Sequence, residues 1–198
     1  MLDLPTRTIQ TQSAPENAGT KQLYLTLDGP IVAGDPERLA AAIFEANARG
    51  YRLDALRLNS PGGLIWEAMA MAVMVRWVEN MATVVQKDAK CESACFGLFA
   101  AGYRKYVDPS PGQIGVHSIY ELIRQEGAET LLPKEIGDLT VQMVRLLKMI
   151  NVPNSIIGKI VTTPPKGMSY LSVEDLWEMR VEVTGHPEPP VGSGRAVV

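Results

Sequence analysis

The sequence predicts an α/β fold built on a mainly parallel sheet, because short apolar segments typical of buried strands alternate with segments of helical periodicity. Its 198 residues, 46% of them hydrophobic, are enough for one domain that buries about 70% of the surface of the unfolded chain. Residues 1–20 and 185–198 lack periodicity. We therefore expect a flexible N-terminal arm, one domain over residues 21–184 and a flexible tail rich in Pro and Gly.

Three strand–helix units fill the first half of the predicted domain. The helix over residues 64–78 is apolar almost all round, which predicts burial on most of its sides. The next helix begins at Ser93, so this serine is expected at a turn between a strand and a helix. In chain order, the predicted segments are strand 23–27, helix 36–49, strand 53–58, helix 64–78, strand 82–86 and helix 93–101.

The second half is predicted to begin with two short strands around a turn rich in Pro and Gly. A long amphipathic helix and two shorter helices follow. Ser172, with Asp175 three residues later, has the pattern of a cap for the last helix. These segments are strands 104–107 and 113–117 and helices 133–150, 153–162 and 173–179.

The charge and hydropathy of the chain disfavour several classes of partner. A net charge of −3 without a Lys/Arg block predicts no binding to nucleic acid or to an anionic membrane. The longest apolar run, residues 68–75, is well short of the roughly 20 residues that span a bilayer. No signal peptide is visible. The expected location is cytoplasmic if Met1 is the native start, and periplasmic if a signal peptide has been removed.

Ser93 is the candidate nucleophile. A serine hydroxyl attacks poorly at neutral pH unless a base accepts its proton and fixed N–H groups bind the oxyanion. His117 ends a predicted strand and is the candidate base, since the other histidine, His186, lies in the predicted tail. The N–H groups of Ala94, at the start of a helix, and of Gly63, in residues 59–63 (Asn-Ser-Pro-Gly-Gly), are the candidate oxyanion hole. No cofactor is expected.

Each of these motifs alone is more often structural than functional. A Pro-Gly-Gly sequence is usually a turn, and a serine among small residues usually packs or caps a helix. A single histidine is more often a hydrogen-bonded core residue than a catalyst. The order and spacing of the motifs carry the functional hypothesis, with Ser93 and His117 separated by 117 − 93 = 24 positions.

Four motifs together resemble the Clp protease proteolytic subunit family over about residues 22–184. They are residues 56–63 (Leu-Arg-Leu-Asn-Ser-Pro-Gly-Gly), Ser93 in its small-residue run, residues 114–117 (Ile-Gly-Val-His) and residues 170–172 (Tyr-Leu-Ser). The resemblance implies a β-α-β superhelical spiroid fold shared with the crotonases, with residues 133–150 as a projecting handle helix. It also implies a serine peptidase that assembles into homo-oligomeric rings. Its peptide or unfolded protein substrates would bind as an added strand along Gly62, Gly63, Leu64, Ile65, Ser118 and Ile119.

One position departs from the family. The family's catalytic aspartate corresponds to Met168, which cannot orient an imidazole or stabilise its charged form. The chain would then use a Ser-His dyad, a carboxylate from elsewhere, or an impaired site. Possible substitutes are Glu121, Glu135 and Asp138. Two further hypotheses are a binding or scaffold protein without turnover and, less favoured, a crotonase-like acyl-CoA enzyme.

Residues 1–20 do not match the family's N-terminal strip, so an ATPase unfoldase partner is disfavoured. The sequence is more similar to bacterial Clp-protease-like proteins, some of them exported, that carry a Cys-x-Ser-Ala-Cys motif. Here Cys91 and Cys95 supply that motif, and packed free thiols are favoured over a disulfide. Two thiols without nearby histidines do not complete a metal site. Lys87 and Lys90 are too near Ser93 in the chain to act as its base.

Overall fold

The structure is a computed structural model that describes residues 10–13, 22–109, 112–119 and 133–185. Most of the predicted arm, and the predicted tail beyond Gly185, lie outside these residues. The elements in chain order are β1 (Gln10–Ser13), β2 (Gln22–Asp28), α1 (Asp35–Ala48), β3 (Arg52–Asn59), α2 (Ile65–Trp77), β4 (Ala82–Val85), β5 (Cys91–Glu92), α3 (Cys95–Ala101), β6 (Arg104–Val107), β7 (Ile114–Val116), α4 (Pro133–Met149), α5 (Asn154–Thr162), β8 (Ser169–Tyr170), α6 (Val173–Glu178) and β9 (Val181–Val183).

Two sheets organise the chain. The larger has the strand order β1-β2-β3-β4-β6-β9, and all its pairs are parallel except the antiparallel pair of β1 with β2. The smaller has the order β5-β7-β8, with β5 parallel and β8 antiparallel to β7. The predicted α/β fold with a mainly parallel sheet is confirmed. The smaller sheet carries the candidate site.

The sequence prediction omitted four strands. β5 and β8 are two residues long and β9 is three, too short to show an alternating pattern. β1 lies within the segment expected to be an arm, where it adds an antiparallel edge to the large sheet. The predicted helix at Ser93 begins later, at Cys95, because the serine itself belongs to the turn.

The predicted burial of α2 on most of its sides is wrong for the single chain. One face is buried, but Trp66 is 53% exposed and Trp77 is 83% exposed. Phe44, on the neighbouring helix α1, is 76% exposed. Sequence periodicity could not separate the two faces of α2 because apolar residues occupy both. The buried face consists of Ala68, Met71, Ala72 and Val75.

The helices α5 and α6 support the end of β7. Ser172 and Asp175 form the predicted capping box at the start of α6. Asp175 also accepts a hydrogen bond from Lys159 of α5 at 2.5 Å. Burial alone would raise the pKa of Asp175, but the hydrogen bonds from Lys159 and Ser172 outweigh it and the pKa lies below its usual value. The next residue after α5, Thr163, accepts a hydrogen bond from the N–H of Ser118 at 3.0 Å.

No helix among residues 10–13, 22–109, 112–119 and 133–185 combines the length and apolarity required to cross a membrane.

Candidate active site

The segment 59–63 lies against the strand that leads to Ser93. The N–H of Ser60 donates to the carbonyl of Lys90 at 2.7 Å, and the N–H of Glu92 donates to the carbonyl of Ser60 at 3.0 Å. The side chain of Asn59 accepts a hydrogen bond from the N–H of Lys90 at 3.1 Å. Hydrogen bonds that involve the backbone therefore hold the segment 59–63 beside Ser93.

Ser93 occupies a tight turn with a left-handed backbone. Its φ is 55°, a region that residues with a Cβ atom adopt rarely and at a cost. The N–H of Ser93 donates to the carbonyl of Gly115 on β7 at 2.8 Å, which holds the turn to the central strand of the small sheet. Ala94 returns to right-handed helical geometry, and α3 follows. Such conformations concentrate at functional sites, where the surrounding structure enforces them.

Gly62 and Gly63 are required by close backbone approaches. A Cβ on Gly62 would lie 2.7 Å from the carbonyl oxygen of Glu92 and 2.8 Å from Cβ of Ser93. A Cβ on Gly63 would collide with the backbone of Ile31. Both glycines also have positive φ, 91° and 148°. Only glycine at these two positions lets the segment 59–63 approach both the serine turn and the backbone of Ile31.

Two backbone N–H groups beside Ser93 have no acceptor among the described residues. The N–H of Ile31 donates to the carbonyl of Gly62, and the carbonyl of Ile31 accepts from the N–H of Leu64. In this parallel bridge, the N–H of Gly63 points away from Ile31. The N–H of Ala94 likewise has no acceptor within that part of the chain. Donors of this kind next to a serine hydroxyl are the arrangement that binds an oxyanion.

The two cysteines form a disulfide, so the expectation of free thiols is wrong. Cys91 and Cys95 are joined with their Cα atoms 5.2 Å apart, and both are fully buried. A disulfide between residues four apart requires the chain to bend at the turn, because on a regular helix their Cβ atoms diverge. The left-handed turn at Ser93 changes the direction of the chain and brings the two sulfur atoms together.

His117 follows the last residue of β7 and is half-buried. Its Nδ1 lies 2.7 Å from the carbonyl oxygen of Ser118. Since a carbonyl oxygen only accepts, this contact assigns the proton of the neutral ring to Nδ1 and the lone pair to Nε2. A neutral ring in this tautomer can accept a proton at Nε2.

Met168 lies beside the strand that carries His117. Its Sδ lies 2.7 Å from where a Cβ on Gly115 would be. β7 and β8 pair Gly115 with Tyr170 and Val116 with Ser169. One step further in the same register, Met168 falls opposite His117. The residue opposite His117 in this extended register is therefore a methionine, which has no carboxylate to offer the imidazole.

The carboxylates considered as substitutes for the aspartate are Glu121, Glu135 and Asp138. Asp138 is exposed on α4. Glu121 and the side chain of Glu135 lie outside the described part of the structure. Within residues 10–13, 22–109, 112–119 and 133–185, no cluster of three or more His, Cys, Asp or Glu side chains could hold a metal ion.

A cavity of about 270 Å³ opens beside Ser93 and His117. Every site residue named from the sequence lines it except Gly62, which lies behind the serine turn. Its far wall comes from the apolar side of the amphipathic helix α4 and from α5. Residues that contribute apolar side chains to the cavity and were not predicted as site residues include Met69, Phe96, Leu139, Met143, Leu146, Leu147 and Ile160.

We expect the substitution Gly62→Ala to displace the serine turn. The added methyl group meets the backbone of Glu92 and Cβ of Ser93, and the left-handed φ adds strain, so the free energy of unfolding should fall by about 2–4 kcal/mol. Chemical denaturation measures the change. Gly137→Ala in α4 is the matched control, because no atom lies within 4 Å of its added Cβ, and it should be neutral or slightly stabilising. Equal stability of the two variants would contradict the proposed close approach.

No protein-family model matches the chain, and no curated protein sequence matches it. Among solved structures it is similar to a mutant of the 1510-N membrane-bound stomatin-specific protease, with 14% identity and a TM-score of 0.58 over 80% of this chain and 76% of that one. It is also similar to the ClpP protease catalytic domain from Plasmodium falciparum, with 17% identity and a TM-score of 0.59 over 83% of this chain and 86% of that one. The chain has the ClpP-like protease fold.

Proposed function

We propose that the protein is a serine peptidase in which Ser93 is the nucleophile and His117 the general base. The observation that carries this proposal is the shared cavity: Ser93, His117, Gly63 and Ala94 all line it. The left-handed turn at Ser93 and the two N–H groups without described acceptors supply the remaining features of an acyl-transfer site.

In the proposed reaction, Oγ of Ser93 attacks the carbonyl carbon of the scissile peptide bond while its proton passes to Nε2 of His117. The oxyanion that forms accepts hydrogen bonds from the N–H groups of Gly63 and Ala94. His117 then gives the proton to the leaving amine as the C–N bond breaks. A water molecule, deprotonated by His117, hydrolyses the resulting ester and releases Ser93. Loss of one oxyanion donor typically costs about 10²–10³-fold in kcat.

The cavity supports a peptide substrate with a large apolar side chain next to the scissile bond. Its far wall is formed by aliphatic and thioether side chains of α4 and α5, among them Leu139, Met143 and Ile160. The segments Gly62 to Ile65 and Ser118 to Ile119 flank the serine and would pair with the substrate backbone as neighbouring strands. Burial of the side chain supplies affinity, and backbone pairing orients the scissile carbonyl.

In the proposed reaction, the backbone of the next residue orients the ring of His117. The carbonyl of Ser118 holds the ring in the tautomer that a base requires. As a neutral acceptor it stabilises the imidazolium less than an aspartate does. Because Met168 stands where the family has its aspartate, we expect the proposed pair of Ser93 and His117, as a dyad or as part of a non-standard triad, to turn over slowly.

The substitution Ser93→Ala should abolish labelling by a fluorophosphonate and reduce hydrolysis of a fluorogenic peptide with an apolar side chain by at least about 10³-fold. Ser155→Ala is the control, because Ser155 lies exposed on α5 away from the cavity. The control should retain both activities. Hydrolysis that survives in Ser93→Ala, or the absence of labelling in folded wild-type protein, would refute the proposed nucleophile.

A second candidate function is peptide binding without turnover, and Met168 is the observation that favours it. In this case the fold and the cavity bind a peptide, but the imidazolium is too poorly stabilised for acylation. Peptide affinity would then be the same in the wild type and in Ser93→Ala, and neither would hydrolyse the peptide.

The substitution Met168→Asp tests the importance of the missing carboxylate. An aspartate opposite His117 should orient and stabilise its charged form, so kcat should rise at least tenfold, towards a ceiling of about 10⁴-fold, with KM little changed. Met168→Asn has the same shape without the charge and should show no such rise. If the aspartate and asparagine variants behave alike in steady-state kinetics, position 168 does not control the base.

We also propose that the protein is a homo-oligomer. Phe44, Trp66 and Trp77 expose 76%, 53% and 83% of their surface on the adjacent helices α1 and α2. An apolar surface of this kind is typical of an interface between subunits.

Sedimentation at micromolar protein concentration should give a mass of several chains. Trp77→Lys places a charge in the proposed interface and should shift the distribution towards the monomer. Val161→Lys, at a 41% exposed position on α5, is the control and should leave the mass unchanged. A wild-type protein that sediments as a monomer would contradict the proposal.

A further inference from the structure

The disulfide encloses the candidate nucleophile symmetrically. Cys91 lies two residues before Ser93 and Cys95 two residues after it. Cys91 is the first residue of β5 and Cys95 the first residue of α3, so the bond joins the elements on either side of the serine turn. Both cysteines are fully buried.

Each end of this bridge is anchored in the fold. The N–H of Cys91 donates to the carbonyl of Gln113 at 2.7 Å, and Cys91 pairs with Ile114 in the small sheet. Cys95 lies in α3, whose last turn is held by a hydrogen bond of 2.7 Å from Oγ1 of the buried Thr83 to the carbonyl of Phe99. Between these two anchors the ring encloses Glu92, Ser93 and Ala94, of which Glu92 and Ser93 also donate to the carbonyls of Ser60 and Gly115.

Within that turn, Ser93 has an unfavourable left-handed backbone. Such a conformation persists when the surroundings leave the chain no alternative. A ring that closes over five residues connects no distant parts of the fold, so its main effect falls on the few residues that it encloses.

We propose that the disulfide between Cys91 and Cys95 is a positioning device for Ser93, and that hydrolysis depends on its oxidised state. This inference rests on the proposed function of Ser93. In the oxidised chain the bond keeps Oγ of Ser93 and the N–H of Ala94 at the cavity. A dithiol reductant would transfer two electrons and two protons, break the S–S bond to give two thiols, and become a disulfide itself. The turn then relaxes towards negative φ, and the hydroxyl leaves its position.

The test compares the oxidised wild type with the double variant Cys91→Ala/Cys95→Ala. We expect kcat to fall about 10²-fold, the cost of displacing a reacting group by about 1 Å, with KM changed less than about twofold. KM should persist because α4 and α5, which form the far wall of the cavity, do not contain the disulfide. The rate of fluorophosphonate labelling should fall in parallel. An unchanged kcat in the double variant would overturn the proposal.

Reduced wild-type protein provides the same comparison without mutation and serves if the double variant does not fold. Its two thiols are verified by mass spectrometry after alkylation. Reductant should lower kcat of the wild type, reoxidation should restore it, and the double variant should not respond to reductant. A wild type whose kcat is the same with verified thiols would overturn the proposal.

Amide hydrogen exchange separates this inference from the proposed peptidase activity. The N–H groups of Ser93, Phe96 and Gly97 donate within or next to the turn, to Gly115, Ser93 and Ala94. Their exchange should accelerate at least tenfold without the disulfide, while the N–H of Ser118, bound to Thr163, serves as the unaffected reference. Faster exchange in a protein that hydrolyses nothing would refute the peptidase and retain the positioning role. Unchanged exchange would refute the positioning role itself.

Discussion

The candidate site depends on the contact between the backbone of Gly62 and the turn around Ser93. There is no space for a Cβ at Gly62, because the carbonyl of Glu92 and Cβ of Ser93 occupy it. Next to this contact, the N–H of Ser60 donates to Lys90 and the N–H of Glu92 donates to Ser60, which holds the two segments together. The position of the hydroxyl relative to the Gly63 N–H is therefore set by paired backbone rather than by mobile side chains, which is the kind of preorganisation that catalysis by oxyanion binding requires.

Gly115 permits a similarly close approach in the small sheet. Gly115, on the central strand β7, pairs with Glu92 on one side and with Tyr170 on the other. Because it has no side chain, the hydroxyl of Tyr170 reaches across the strand and donates to Oε1 of Glu92 at 2.8 Å. This hydrogen bond raises the pKa of Tyr170. The carbonyl of Gly115 meanwhile accepts from the N–H of Ser93, so this glycine also holds the serine turn to the strand that precedes His117.

Sequence patterns predicted the features that are local and missed those that depend on tertiary geometry. The alternation of strands and helices was predictable because each long element has its own period, and the Gly-Gly segment because turn chemistry is local. β5 and β8 carry too few residues for any period. Leu139 and Met143 have the same apolar spacing whether they face a core or a cavity, so the amphipathic pattern of this helix could not identify them as part of the cavity wall. The disulfide was missed because it depends on the left-handed φ of Ser93, which no residue pattern around it specifies.

The two residues of the proposed catalytic pair bear on different parts of the reaction barrier. The serine is held by a disulfide, by the hydrogen bond to Gly115 and by contact with Gly62. The described contacts of the histidine include the carbonyl of Ser118. Rigid placement lowers the entropic barrier to attack, whereas charge stabilisation of the imidazolium lowers the barrier to proton transfer. The contacts that hold the serine turn therefore act on the first of these barriers, and a carboxylate behind the histidine would act on the second, so the two effects on turnover are separable by mutation.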